Sequence, residues 1–229
     1  MERMRYEADG KVARIVFDDG KANAMSVPFF EELGALLDRA ESAGAGALVL
    51  AGRPGMFSGG LDLKLLPTLS REGLRELSAT FARTMLRVFT LPIPTVAAVT
   101  GHAIAGGAVL AYACDRRYAV DGRFRLQLNE VAIGIPMPSW MASIASTAIP
   151  PGQHVAALLH ARAFTPAEAL ALGILDGLLP EGGDVVRHAT EQTADVTALP
   201  RDAYATSKRR LRAAEVERVL ALLDGELAG

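Results

Sequence analysis

Between Arg87 and Asp115 the chain carries no ionisable acid or base of the Asp, Glu, Lys or Arg type: Val88–Cys114 reads VFTLPIPTVAAVTGHAIAGGAVLAYAC. An uninterrupted apolar run of that length is enough to cross a bilayer as one helix. Pro92, Pro94, Gly101, Gly106 and Gly107 interrupt it, and an internal proline removes a helix hydrogen bond and clashes with the preceding turn. The stretch therefore divides into a buried strand, Thr95–Thr100, and a buried helix, Gly106–Cys114. A second block, 131–161, lacks the same four residue types and is broken by Pro136, Pro138, Pro150 and Pro151. Glu130 stands at its threshold.

Around these blocks the pattern is α/β. Arg3–Ala8 and Lys11–Phe17 read as two strands joined by Asp9-Gly10, a dipeptide suited to a hairpin turn. From Ser26 and Pro28, the residues Phe30, Leu33, Leu37 and Ala40 recur at helical spacing, ending near Gly44. Ala47–Ala51 is a short apolar run expected to be a buried strand. After the loop RPGMFSGGLDL, Leu74, Leu77, Phe81, Met85 and Val88 form one stripe of a helix from about Ser70 to Phe89. Arg117–Val120 completes a strand, helix, strand alternation that predicts parallel pairing after an antiparallel start. The last third is mostly helical. Thr165-Pro-Ala-Glu168 is a capping box and Gly173 stands at a C-cap position. Asp184–Leu199 and Asp202–Leu227 supply further helices, the last expected to be amphipathic and to close a pocket or pack on a neighbouring subunit.

Composition excludes several classes. The chain has 229 residues, of which 50% are hydrophobic and 22% charged, and a formal net charge of −2, which suits one globular unit and leaves no electrostatic footprint for nucleic acid. Its one basic cluster, Lys208–Arg212, reads as a solvated helix face, with contact to a phosphate-bearing ligand as the alternative. Cys114 is the single cysteine, so no intrachain disulfide forms, no zinc pattern surrounds it, and a reducing cytoplasm fits. It reads as a small buried hydrophobe. The N-terminus MERMRYEADG lacks the apolar stretch of a signal peptide. No membrane partner is expected.

The glycine pair in AIAGGAVLAYACD (103–115) raises a chemical question, because no acid, base or nucleophile follows until Asp115. Taken locally it is a tight loop entering a buried helix, or a place where a ligand approaches peptide N–H groups unobstructed by side chains.

Five strings taken together carry a resemblance: KANAMS (21–26), MFSGGLDLK (56–64), GHAIAGGAVLAYACD (101–115), LNEVAIGIP (128–136) and TPAEALALGILDGLLP (165–180). In their order and approximate spacing they resemble the crotonase family, the enoyl-CoA hydratases and isomerases. The resemblance implies an α/β fold, the ClpP-like crotonase spiral of ββα units. It places a core domain over 1–180 and, within the same unit, a C-terminal helical segment over 181–229 for trimerisation or pocket closure. It also implies an acyl-CoA thioester substrate, with CoA as part of the substrate, no metal and no separate cofactor, and assembly as a homotrimer or homohexamer.

Crotonase enzymes hold the enolate of an acyl-CoA thioester with two peptide N–H donors, and peptide donors make no demand on side-chain identity. By resemblance the donors are the N–H groups of Leu61 in SGGLDL and of Gly106 in IAGGA. Gly106 opens an apolar helix, whose unpaired N–H groups and positive dipole end suit developing negative charge. Gly59, Gly60 and Gly107 let the thioester approach, so bulk at Gly106 or Gly107 is expected to close the site. Asp62 caps a short helix LKLL in the plainer reading, which would also steady the Leu61 peptide. Lys21, Ala22, Ala24 and Lys64 become candidate CoA contacts, with solvation the alternative for the lysines.

Family hydratases carry two glutamates. The position of the first, three residues after the oxyanion glycine, is Val109 here, which moves no proton. The second falls on Glu130. A single carboxylate suffices to take a proton from C2 of a 3-enoyl-CoA and return it at C4, as the family's delta(3),delta(2)-enoyl-CoA isomerases do. Apolar surroundings are expected to raise its pKa. The alternatives for Glu130 are a helix cap or an ion pair with Arg125 or Arg117. Those for the chain are an enoyl-CoA hydratase with an unassigned second group, or a non-catalytic acyl-CoA-binding protein. Val109 and the 131–145 stretch are expected to shape the acyl pocket, Trp140 and Met137 to shape pocket or core, and His102 to serve packing or a loop hydrogen bond.

Overall fold

The computed structural model describes residues 3–228, apart from the side chains at 224, 227 and 228; residues 1, 2 and 229 of the two expected segments lie outside it. The chain opens with strands β1 (Met4–Asp9) and β2 (Val12–Phe17). Helix α1 (Val27–Ser42) follows, then β3 (Ala47–Ala51) and β4 (Gly55–Ser58). Helix α2 (Arg71–Thr90) leads to β5 (Thr95–Val99), β6 (Gly101–Ile104) and helix α3 (Gly106–Ala113). Strands β7 (Arg116–Val120) and β8 (Leu126–Gln127) precede helices α4 (Ser139–Ala148) and α5 (Pro166–Ala171). Then come β9 (Gly177–Leu179), the short helices α6 (Val185–Glu191) and α7 (Ala194–Thr197), and the long α8 (Arg201–Ala228).

Six strands form one sheet in the order β1-β2-β3-β5-β7-β9, antiparallel between β1 and β2 and parallel elsewhere. The other three make a parallel sheet in the order β4-β6-β8. Three times the chain adds a strand to the first sheet, a strand to the second and then a helix, which is the expected ββα spiral. Every residue of β3 and β5 is buried, as continuous apolar runs between two covered faces require.

The second sheet is the main departure from the sequence-based expectation. Its strands have four, four and two residues, too few to show a periodicity, and β4 lies inside the expected loop RPGMFSGGLDL. Smaller corrections are local. Asp9 pairs with Val12, so the hairpin turn is Gly10-Lys11, where Gly10 takes φ +58°. The helix expected over Asp184–Leu199 is two pieces, α6 and α7. The capping box forms as expected: Glu168 N donates to Thr165 Oγ1 at 3.2 Å and Thr165 N to Glu168 Oε2 at 2.9 Å.

Helix α8 is not cleanly amphipathic. It buries Val219 and Leu223 but leaves Leu211 83% exposed. Its Lys208–Arg212 cluster is a solvated face only in part: Arg209 and Arg210 are exposed, whereas Lys208 and Arg212 turn inward. Lys208 is buried and its Nζ donates to Asp115 Oδ2 at 2.8 Å, while Arg212 pairs with Asp115 Oδ1 at 2.8 Å. Tyr204 OH donates to the same carboxylate at 2.8 Å. Burial alone would raise the Asp115 pKa, but Lys208 and then Arg212 hold it below the usual aspartate range. Asp115 closes the charge-free stretch, so α8 is tied to the end of α3. Among the described residues, no helix is long and apolar enough to cross a membrane.

Candidate active site

Two distant strings lie side by side. Gly59 N donates to Ala22 O at 2.8 Å, Met25 N to Gly60 O at 2.8 Å, and Asp62 N to Met25 O at 3.0 Å. Asn23, at φ +49°, anchors this seam: its Nδ2 donates to the carbonyls of Phe17, Met56 and Phe57 at 3.1, 3.2 and 3.1 Å. Asp19 accepts from the N–H groups of Lys21, Asn23 and Ala24. Met25 thus bonds the peptide groups on both sides of Leu61 in a parallel bridge. That geometry turns the Leu61 N–H away from Met25, and no acceptor takes it among the described residues. Asp62 caps a turn rather than a helix: its Oδ1 accepts from Lys64 N at 3.0 Å, and only a 3-10 turn at Leu66–Thr68 follows. Pro67 has no N–H with which to extend it.

Gly106 is the first residue of α3, so its N–H has no intrahelical acceptor. The glycines around it are demanded by scaffold contacts. A Cβ on Gly106 would stand 2.6 Å from Phe81 Cζ, and one on Gly107 would stand 2.1 Å from Ser58 O. Bulk at Gly107 would therefore drive α3 off β4, which differs from the expected obstruction of an entering ligand.

Leu61, Gly106, Gly59 and Glu130 line one cavity of about 220 Å³. Its other walls are Ala105 before α3, Leu63 and Leu66 from the turn, Leu74, Leu77, Ser78 and Phe81 from α2, and Asn129, Ile133, Ile135, Pro138, Trp140 and Met141 from the 129–141 stretch. Leu74 is thus a cavity residue rather than part of the buried stripe. Glu130 is 5% exposed and its Oε2 is buried with no hydrogen-bond partner among the described residues. Burial pushes its carboxyl above the usual glutamate range, opposed only by its own backbone N–H. Among the described residues it neither caps a helix nor forms an ion pair: Arg117 pairs with Asp176 at 3.3 Å and Arg125 is exposed. Burial and, to a smaller degree, the Glu130 charge raise the Tyr112 phenol on α3 above its usual range.

The remaining candidates sit elsewhere. Gly60 and Gly107 back the cavity without lining it, and Asp62 lies in the turn beside it. Lys21 and Lys64 are exposed and Ala22 and Ala24 half-buried, all outside the cavity. Val109 is fully buried and is not a cavity wall, which corrects its expected part in shaping the pocket. Trp140 does line the cavity, with its ring edge-on to Phe81 at 4.7 Å. Met137 packs half-buried on the core, and His102 meets Phe124 edge-on at 5.6 Å. Asn129 was not singled out from the sequence. Its Oδ1 is buried, unpartnered and on the same wall as Glu130; its place directly before Glu130 in LNEVAIG was the one available signal.

Known proteins share this fold. A family model described as Enoyl-CoA hydratase/isomerase matches residues 7–226. The chain belongs to this family. Among family members, human enoyl-CoA delta isomerase 1, mitochondrial, is 30% identical over 96% of this chain and 74% of its own length. A putative enoyl-CoA hydratase of Thermus thermophilus is 37% identical over 76% of this chain and 70% of its own. The crystal structure of human mitochondrial delta3-delta2-enoyl-CoA isomerase superposes with a TM-score of 0.94, at 31% identity, over 99% of this chain and 90% of that one. Family membership confirms the crotonase fold and makes the chain an enoyl-CoA hydratase/isomerase-type protein.

Proposed function

We propose that the chain is an enoyl-CoA isomerase that moves the double bond of a 3-enoyl-CoA to position 2. The observation that carries this reading is a lone buried carboxylate, Glu130, in a mostly apolar cavity whose wall also includes Leu61 and Gly106. With the thioester oxygen against the N–H groups of Leu61 and Gly106, the Glu130 carboxylate takes a proton from C2. The electron pair of that C–H bond spreads onto the thioester oxygen as a dienolate, held by the two amides. The C3–C4 double bond shifts as Glu130 returns the proton to C4, leaving a 2-enoyl-CoA conjugated to the thioester. The proton balance closes on Glu130 alone, so the step requires neither a metal nor a redox cofactor.

Burial supports the base role, because a carboxylate stripped of water is a stronger base once ionised. Val109 supports isomerisation over hydration, since the position where family hydratases carry their first glutamate holds an apolar residue behind the cavity. On this reading CoA extends over the Lys21–Ala24 and Lys64 surface, and the protein works in the cytoplasm as a homotrimer or homohexamer. A hydratase is the second reading. Asn129 favours it as a polar group able to hold a water beside Glu130, and the Thermus thermophilus relative is named a hydratase.

Incubation with trans-3-enoyl-CoA and, separately, with crotonyl-CoA tests the proposal. Isomerisation produces the conjugated enoyl absorbance from the first and leaves the second intact. Loss of absorbance from crotonyl-CoA as the main reaction supports hydration, and tight CoA binding without turnover of either supports a binding protein.

A further inference from the structure

The C-terminal helix reaches the wall of the cavity from outside. Ser139 opens α4, and its N–H donates to Glu226 Oε1 and Oε2 at 3.2 and 3.1 Å, while its hydroxyl also donates to Glu226 Oε1. A carboxylate there satisfies an N–H that the helix leaves unpaired and faces the positive end of the helix dipole. Further along α4, Ser143 Oγ accepts from Arg218 Nη2 at 2.7 Å, and Arg218 also donates to Glu215. The root of α8 is fixed separately by Lys208 and Arg212 on Asp115. Helix α8 is therefore anchored at its base and grips α4 at two points.

What α4 presents inward is cavity wall. Trp140 and Met141 follow Ser139 directly and line the cavity. Trp140 stands edge-on to Phe81, and Phe81 packs where a side chain on Gly106 would be. Contact is continuous from Glu226 through Ser139, Trp140 and Phe81 to the face of Gly106 where a side chain would stand.

We propose that Glu226 is a positioning residue that sets the width of the cavity at Trp140 and Met141, and that the C-terminal helix thereby selects the length of aliphatic acyl chain accepted. The inference rests on the acyl-CoA reading above but not on which reaction follows binding. An acyl group short enough to end beside Glu130 does not sense the grip, whereas one that runs against Trp140 does.

Trp140 is the only tryptophan of the chain, so its emission reports on this wall. Glu226→Ala and Glu226→Gln are compared with wild type by tryptophan emission and acrylamide quenching, and by affinity for hexanoyl-CoA and decanoyl-CoA. In the Ala variant we expect red-shifted, more quenchable emission and about three- to tenfold weaker decanoyl-CoA binding, with hexanoyl-CoA within about twofold. The Gln variant keeps an acceptor oxygen and stays near wild type. Arg218→Met, which removes the second grip, moves in the same direction as Ala. Equal losses for both thioesters, unchanged emission and affinity in the Ala variant, or a wild type that binds neither thioester overturns the proposal. Absence of isomerase turnover bears on the reaction proposed above and leaves these readouts intact.

Discussion

Gly60 lies so close to Gly106 that a methyl group added to Gly60 would stand 2.9 Å from the Gly106 amide nitrogen. This contact brings together the peptide preceding Leu61 and the first turn of α3, the two segments whose N–H groups are proposed above to hold one oxygen. Gly60 also has φ +83°, a conformation that side chains resist.

Gly60→Ala is expected to keep the fold but cost about 1–3 kcal/mol of stability. By displacing the Gly106 amide it should slow turnover by roughly tenfold or more, since small misplacements at a reacting centre are expensive. Thermal unfolding and kcat on 3-enoyl-CoA measure the two effects, and full activity in the variant would separate the amides from the chemistry.

Glu130→Gln is expected to lower isomerase turnover by about a hundredfold or more while CoA affinity is retained. Because the folded carboxyl titrates above the ordinary value of 4.5, the acid limb of kcat/KM should lie above that value in wild type.

The same shift predicts a stability gain in that variant. A raised folded pKa means that wild type loses stability as pH rises from 4.5 through the folded value. Glu130→Gln escapes that loss, so its unfolding midpoint should exceed that of wild type at neutral pH and the gap should close at lower pH. Midpoints that differ by the same amount at every pH would contradict this linkage.

Asp115→Asn leaves Lys208 and Arg212 without their shared carboxylate, and breaking a buried pair this way typically costs about 3–5 kcal/mol. The sign in pH is opposite to that of Glu130. The folded pKa of Asp115 is depressed below 3.8, so its contribution is present above that pH and is lost as pH falls through the folded value. Urea unfolding at neutral and acid pH should show a large wild-type advantage that shrinks on acidification.

Val109→Glu is expected not to create a hydratase. The position is fully buried behind the cavity, so the new carboxylate would be an unpaired charge in the core, costing more than about 3 kcal/mol. Urea unfolding and the rate of crotonyl-CoA hydration check both halves; a stable variant with new hydration would show that this side chain reaches the cavity.

Much of this protein was legible in its sequence, and the legible parts share a cause. The runs at Ala47–Ala51 and Thr95–Val99, the stripe of Phe30, Leu33 and Leu37 on α1, and the Thr165/Glu168 capping box are written by neighbours within a few residues. Glu130 was singled out because five short strings occur in a family's order, and it does stand with Leu61 and Gly106 on one cavity. What only the tertiary structure decided involves partners far apart in sequence. Strands of two to four residues become a sheet only beside each other, Lys208 becomes a buried cation only against Asp115, and Asn129 becomes a site residue only once its wall is built. Val109 shows the converse: its place in a motif implied a pocket position, but α3 turns it into the core. Periodicity and capping record the interactions of a residue with its own segment, whereas burial of a charge or convergence of two amides depends on which surfaces meet across the fold, and no local pattern encodes that.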